Sequence, residues 1–489
     1  MNSVVNDPHH SPKMSDVIRT EKHRVQRSFF DHATGKAYPS IAEIPGRREL
    51  DPSTLPIFLR IGYVPGNATL FRGVDCLPGG CTVRVRDGTW SVETRFRFKD
   101  HIDPDEVAAR SESELIERGT KLLLTAVDRC RDGSEVIVPL SGGLDSRTVL
   151  GALLETMPAR SITTYTYGLR GTLDFEIGNE VARRAGTRHV TLDLERRGFS
   201  EENVLRTAIL SDANTELMKP AVWIHVIEEF GDRAQYWSGF TGDGVAGSHY
   251  LPHRGDLDQA VADFVSDETR SLQYLEDGEW SREHMRAVAR VTKYDGLLSN
   301  HEAVWFENHV ERYTAHHIFL RGLRYALPFM DDEFAGFMLA LPSRLRSGKR
   351  LFDRMVSERF KSLFALPSKD YGYSLTGRSL QHRAWQANQA VRKVLWRVMP
   401  TSVTHPRTSY LDFATAIRER PAVRSMVVGA IASLAKRQIL DERRLERMLN
   451  DHLRSARDTS SLLTLLTSLE LALRALCDHE PSTRGSVVL

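Results

Sequence analysis

The sequence predicts an α/β protein organised on a doubly wound parallel sheet, with a small β-rich segment before it and helices after it. Three observations carry that reading. Residues 135–150 change periodicity within one stretch: a continuous apolar run at 136–138, then a turn of small residues, then Val149, Leu150, Leu153 and Leu154 at helical spacing. Two further β-branched or apolar runs, 161–168 and 189–193, alternate with helical patterns. A fourth, at 236–239, again leads into small residues and one carboxylate.

Length and composition set the frame. At 489 residues, the chain has room for two or three domains with substantial cores. Hydrophobic residues at 41% and charged residues at 27% are ordinary for a globular protein, and a formal net charge of +2 gives no electrostatic case for nucleic acid or a membrane surface. No apolar run reaches the length of a membrane span, so a cytoplasmic protein is expected. Cys76, Cys81, Cys130 and Cys477 are scattered without a CxxC pair, which suggests reduced thiols rather than zinc or a disulfide framework.

Taken in order, residues 1–25 lack an apolar pattern and predict a mobile leader. From 26 to 102, short runs at 58–74, 77–80 and 82–86 alternate strand-like residues with Pro and Gly turns. Residues 103–131 place Leu115, Leu122, Leu123, Leu124 and Val127 at helical spacing, and predict a helix against the sheet.

The turn Ser141-Gly142-Gly143-Leu144-Asp145-Ser146 follows the first strand of that sheet, directly after Leu140. Small residues at a strand-to-helix junction let backbone N–H groups approach an anion, and the helix dipole favours negative charge there. A Walker-type loop would carry a Lys and a Ser/Thr after its second glycine; here Asp145 occupies the turn. A carboxylate beside phosphates calls for a cation, so Asp145 reads as a Mg²⁺ ligand, with simple helix capping by Ser141 or Asp145 as the plainer reading.

The second strand, 161–168, ends in Thr166, Tyr167 and Gly168, which can border a nucleotide at the carboxyl end of a parallel sheet, although Tyr167 also suits core packing. Asp174 and Glu176 read most simply as acids favouring a helix N-terminus. Residues 216–227 suggest an apolar helix. Gly239 and Asp243, in the run Ser238-Gly-Phe-Thr-Gly-Asp-Gly-Val-Ala-Gly-Ser-His-Tyr250, place a second carboxylate after a strand, able to complete Mg²⁺ coordination opposite Asp145. Residues 254–290 are charged and read as exposed helices. His309, His316 and His317 lack a carboxylate–His pattern and read as helix residues rather than metal ligands. Helices are expected near 384–398, 422–435 and 462–476, before a polar tail.

The Ser141–Ser146 turn resembles the pyrophosphate-binding loop of the asparagine synthetase-like ATP pyrophosphatases, a family that includes β-lactam synthetases and lasso-peptide macrolactam synthetases. The 238–250 run is similar to the family's SGEGADELFGGY loop, and 327–334, 339–342 and 348–352 are similar to its PFLD, LP and GK series. Residues 58–80 resemble the back end of the family's glutaminase domain. The resemblance covers about 58–375 and implies a synthetase domain at 103–375, a truncated remnant at 26–102, a helical extension at 376–480 and a tail at 481–489. It implies ATP and Mg²⁺ as cofactors, Ser141, Gly142, Gly143 and Ser146 around pyrophosphate, Asp145 and Asp243 on the metal, and a carboxylate activated by adenylation for attack by an amine.

Departures from the family shape that expectation. Asn2 replaces the glutaminase cysteine, so glutamine hydrolysis is not expected. Gly244 stands for the usual glutamate, Arg324 and Ala326 for the glutamate and arginine ahead of Pro328, and Phe352 for the usual second lysine. Lys349 is the first candidate for a catalytic cation and Arg350 the second, with a solvated helix-start lysine as the plainer reading of Lys349. The substrates implied are a small-molecule or peptide carboxylate and an amine, with a protein partner if a precursor peptide supplies both. Free-ammonia asparagine synthesis and amidation in polysaccharide metabolism are alternatives, and a nucleotide-binding pseudosynthetase without turnover is the competing class.

Overall fold

The computed structural model describes residues 17–478 apart from 253, 269–292, 295, 377–386, 389 and 392–407. Among the described residues, six short strands precede the main sheet. Strands β1 (Val17–Arg19), β5 (Cys81–Arg86) and β6 (Thr89–Arg95) form one antiparallel sheet; β2 (Phe29–Asp31), β3 (Lys36–Tyr38) and β4 (Val74–Cys76) form a second. The expected leader is therefore too long: residues 17–19 pair with β5, because Ile18 packs beside Phe30 and Val83 in a small apolar cluster. The strand reading of residue 58 onward also fails at its start. Leu55–Ile61 is a helix with Pro56 in its first turn and Gly62 closing it at φ +87°.

The expected helix over 103–131 divides in two, Pro104–Ala108 and Glu112–Cys130, because Ser111 and Glu114 make a reciprocal capping box that starts the second afresh. Its apolar stripe faces β7 (Val136–Pro139), the first strand of a five-stranded parallel sheet. The others are β8 (Ile162–Gly168), β9 (Arg188–Asp193), β10 (Gln235–Trp237) and β11 (Arg324–Ala326), in the order β11-β10-β7-β8-β9. Both faces are covered. Ile137, Tyr165, Leu192 and Tyr236 belong to one core, while Val136, Val138, Ile162 and Trp237 belong to the other, as alternation on a doubly wound sheet requires.

From β7 the chain steps outward to β8 and β9, then returns across to β10. The switch point lies between β7 and β10, where a parallel sheet opens a ligand crevice at its carboxyl edge.

Helix boundaries correct the sequence reading in three places. The helix expected from 216 begins only at a turn over Pro220–Val222, with Pro220 in the first turn where its missing N–H would have no helical partner, and continues as Trp223–Phe230. Leu257–Glu268 is half buried through Ala260, Val261, Phe264 and Val265 rather than a wholly exposed charged helix; 269–292 lie outside the described residues. Asn300–Trp305 runs into a π-helical stretch, Phe306–Thr314, and then Ala315–Ile318. His316 is fully buried with Nδ1 3.1 Å from the Ser211 carbonyl oxygen, and no metal-binding cluster of three or more acids, histidines or cysteines occurs among the described residues.

The expected helix at 384–398 falls largely outside the described residues. Pro421–Lys436 and Ser460–Leu476 form, joined by Phe413–Glu419 and Glu442–Leu453, which were not anticipated. They are not peripheral cover. Leu462, Leu466 and Leu469 share one core with Ile137 and Tyr165 of the sheet, and the Ser468 hydroxyl accepts the Leu217 N–H at 2.9 Å. No described helix is long and apolar enough to cross a membrane.

Candidate active site

A cavity of about 480 Å³ opens at the switch point, within the range of small-molecule sites. Leu140, Ser141, Gly143, Leu144, Asp145 and Ser146 line it from the turn after β7, Tyr167 from the end of β8, and Gly239 and Asp243 from the turn after β10. Three of the remaining sequence-nominated residues sit differently. Gly142 faces away, Gly168 is outside the lining, paired with β9 and accepting the Leu194 N–H at 3.0 Å, and Arg350 is exposed and does not line the cavity. Arg350 begins the Arg350–Arg359 helix one position past Lys349, and that step turns its side chain out to solvent.

The turn after β7 is held by its own side chains. The Ser141 N–H donates to Ser146 Oγ at 3.3 Å, and the Gly143 N–H donates to Ser141 Oγ at 3.2 Å. The Gly142 N–H donates to Asp174 Oδ1 at 2.9 Å, so it is already engaged, and the serine hydroxyls are the groups that face an incoming anion. Asp174 does more than favour a helix start, the reading preferred from sequence. Its Oδ2 also accepts Lys369 Nζ at 3.0 Å and Ser409 Oγ at 2.7 Å, tying three distant segments together.

Arg147, fully buried, anchors the other side. Its Nη2 donates to the Gly142 carbonyl at 3.0 Å and to Pro367 at 2.6 Å, and its Nη1 donates to Leu366 at 3.1 Å. Lys369 returns its own N–H to Gly142 at 2.9 Å. The 366–370 segment is thereby fastened to the turn, and it delivers Lys369 and Asp370 to the cavity.

The two carboxylates meet across the crevice because the β10 turn is built from glycines. A Cβ at Gly242 would lie 2.5 Å from Asp145 Cγ, and one at Gly239 would lie 2.9 Å from Asp145 Cβ. Lys349 approaches from behind. Its ammonium stands 3.7 Å from Asp145 Oδ1 and pairs directly with Asp243 Oδ1. It reaches there on two consecutive left-handed residues, Gly348 at φ +65° and Lys349 at φ +61°, a conformation costly for a non-glycine residue and typical of functional sites.

Electrostatics separate the two acids. Burial, reinforced by Asp243, pushes the Asp145 carboxyl up to about 7, although Lys349 opposes the shift. Burial also works against the charge of Asp243, whose side chain is about half exposed, but its direct contact with Lys349 and the Ser248 hydroxyl hold it below the usual carboxylate range. Asp145 Oδ1 is buried with no hydrogen-bond donor. A buried, donor-poor carboxylate oxygen beside a second carboxylate fits a divalent cation, and two protein carboxylates leave room for phosphate oxygens and water. Asp145 and Asp243 are the residues that could hold it.

Sequence reasoning missed Arg147, Asp174, Lys369 and Asp370 as site residues. Arg147 did leave a signal, a charge on the apolar stripe that continues through Leu150 and Leu154. Lys369 and Asp370 left none, since only the fold brings them to the turn.

Comparison with known proteins identifies the family of the fold that holds this cavity. The chain matches the Asparagine synthase family over residues 119–474, which extends the likeness through the C-terminal helices, past the limit near 375 expected from motifs. It is also 25% identical over 152 residues to a protein of Methanocaldococcus jannaschii provisionally named asparagine synthetase [glutamine-hydrolyzing] 2. That stretch is 28% of this chain and 27% of the relative, so the chain matches little more than a quarter of that protein's length. With a family match over more than half its length and the family's fold around the site, the chain belongs to the asparagine synthase family of ATP-dependent ligases.

Proposed function

We propose that this protein is an AMP-forming amide ligase using ATP and Mg²⁺. The observation that carries the reading is the pairing of Asp145 and Asp243 across the switch point, next to the serine-lined anion turn. A carboxylate oxygen of the acid attacks the α-phosphorus of ATP, the bond to the β-phosphate oxygen breaks, and pyrophosphate leaves from the Ser141–Ser146 turn. An amine then attacks the activated carbonyl carbon, gives up a proton, and AMP departs with its electron pair. Mg²⁺ held by Asp145 and Asp243 would neutralise phosphate charge. Lys349 and Lys369 bring positive charge to the same end of the cavity, where charge develops on the departing groups. Asp370 lines the cavity with its carboxylate unpaired among the described residues, and is placed to hold an ammonium and accept its proton.

Acid and amine are either two parts of one peptide, as in lasso-type macrolactam closure, or separate small molecules. Free ammonia giving asparagine, and amidation in polysaccharide metabolism, belong to the second group. A nucleotide-binding pseudosynthetase is the second reading, favoured by the lysine already seated between the carboxylates.

ATP–pyrophosphate exchange against a panel of acids and acidic peptides tests the proposal. Exchange dependent on one acid supports it; ATP binding without exchange for any acid favours the pseudosynthetase. Gly242→Ala supplies a geometric check. Its methyl group would displace the Asp145 carboxylate, so exchange is expected to fall roughly 10²-fold with little loss of folding. Unchanged exchange in that variant would contradict the role given to Asp145.

A further inference from the structure

Beyond the carboxylate end, the cavity is bounded by a stack of rings. His249 and Trp305 lie 4.6 Å apart at 27°, and Trp305 and His309 lie 5.4 Å apart at 11°; all three line the cavity. The run continues away from it through Tyr313 to His317, with centroids 5.0 and 4.2 Å apart. The π-helical stretch sets this register, since side chains four apart sit nearly above one another where the helix is widened.

Gly244 explains how that wall fits. A Cβ there would lie 2.9 Å from Phe306 Cζ and 3.0 Å from Trp305 Cζ3, so the rings occupy the space a side chain at 244 would need. This is the position where the resembled loop carries glutamate. Nor do the described residues of the cavity offer a free lysine or arginine for an amino-acid head group, since Lys349 beside the cavity is paired with Asp243. Among its described lining residues Lys369 is the one lysine or arginine, and it is bound to Asp174. An α-carboxylate bound here would lack the charge-assisted partner that a dedicated site supplies.

We propose that the acid taken by this site carries a flat, uncharged aromatic or heteroaromatic ring, which lies against the His249–Trp305–His309 wall in place of an amino-acid head group. The inference names the acid for the adenylating reading and rests on it. Its test is a binding experiment that does not need turnover. Benzoate, indole-3-acetate, succinate and aspartate would be titrated calorimetrically into the full chain with a non-hydrolysable ATP analogue present. Ring acids are expected to bind in preference to succinate and aspartate. Trp305→Leu should weaken them about tenfold, and Trp305→Phe should retain them. Preferential binding of aspartate or succinate, equal binding by Trp305→Leu, or no binding by any of the four would overturn the proposal. A ring acid that binds in this way but supports no pyrophosphate exchange would remove the adenylating reading and leave only the wall's preference for ring acids.

Discussion

Asp145→Asn is expected to lower ATP–pyrophosphate exchange by roughly 10³-fold while making the nucleotide-free protein more stable at alkaline pH. The two effects share one cause. The Asp145 carboxyl titrates near 7 when folded, chiefly because burial disfavours its charge and secondly because Asp243 faces it. An aspartate whose folded value lies above its unfolded value binds more protons in the folded state between those values. Its contribution is therefore fully favourable below about pH 4 and is lost as pH rises toward 7. Asparagine never takes the charge, so the variant escapes that loss. Melting temperatures of the two proteins from pH 4.5 to pH 8 should diverge, with the variant gaining on the wild type as pH rises. Full exchange activity in the variant, or a melting difference that does not change with pH, would refute the assignment.

Arg147→Met is expected to cost roughly 3–5 kcal/mol of stability and to weaken nucleotide binding as well. Burial pushes the Arg147 guanidinium down to about 10, yet it remains charged at neutral pH and donates to three main-chain carbonyls. Methionine fills much of the volume but leaves the Leu366 and Pro367 oxygens without this donor, and Gly142 with the Lys369 N–H alone. The 141–146 turn and the 366–370 segment then lose their common anchor, so the apparent KM for ATP should rise together with the fall in melting temperature. Denaturant unfolding and ATP titration of the same variant measure both. A variant with wild-type stability, or one destabilised with an unchanged KM, would show that the anchor does not set the turn.

Much of the framework was legible because period is a local property. The change from an apolar run to a helical recurrence around 141–146 marked the first strand, turn and helix, and the second carboxylate loop showed itself by its glycines. Residues whose role depends on contacts two hundred positions away were not legible. Asp174 joins Gly142, Lys369 and Ser409, and nothing in its acidic, helix-opening neighbourhood distinguishes that from ordinary charge on a first turn. The motif nominates Lys349 first and Arg350 second; the left-handed turn at 348–349 is what carries the lysine rather than the arginine to the carboxylates, and backbone sign is invisible in composition. The aromatic wall was missed because histidines and a tryptophan at spacing four in a helix ordinarily mean packing. Their meeting with Gly244 needed the fold.

The shared core beneath the sheet has a consequence for biosynthesis. Chains emerge from the ribosome N-terminal end first, and early-made segments fold as soon as their partners exist. Here Ile137 and Tyr165, made early, are met by Trp223 and Phe230 soon afterwards, whereas the Glu201–Ser211 helix finds Ser460–Leu476 only when that last described helix has been translated. The nascent protein must therefore carry the outer apolar side of the Glu201–Ser211 helix uncovered through most of its synthesis, a period in which chaperones or premature association compete with the helix that will finally close it.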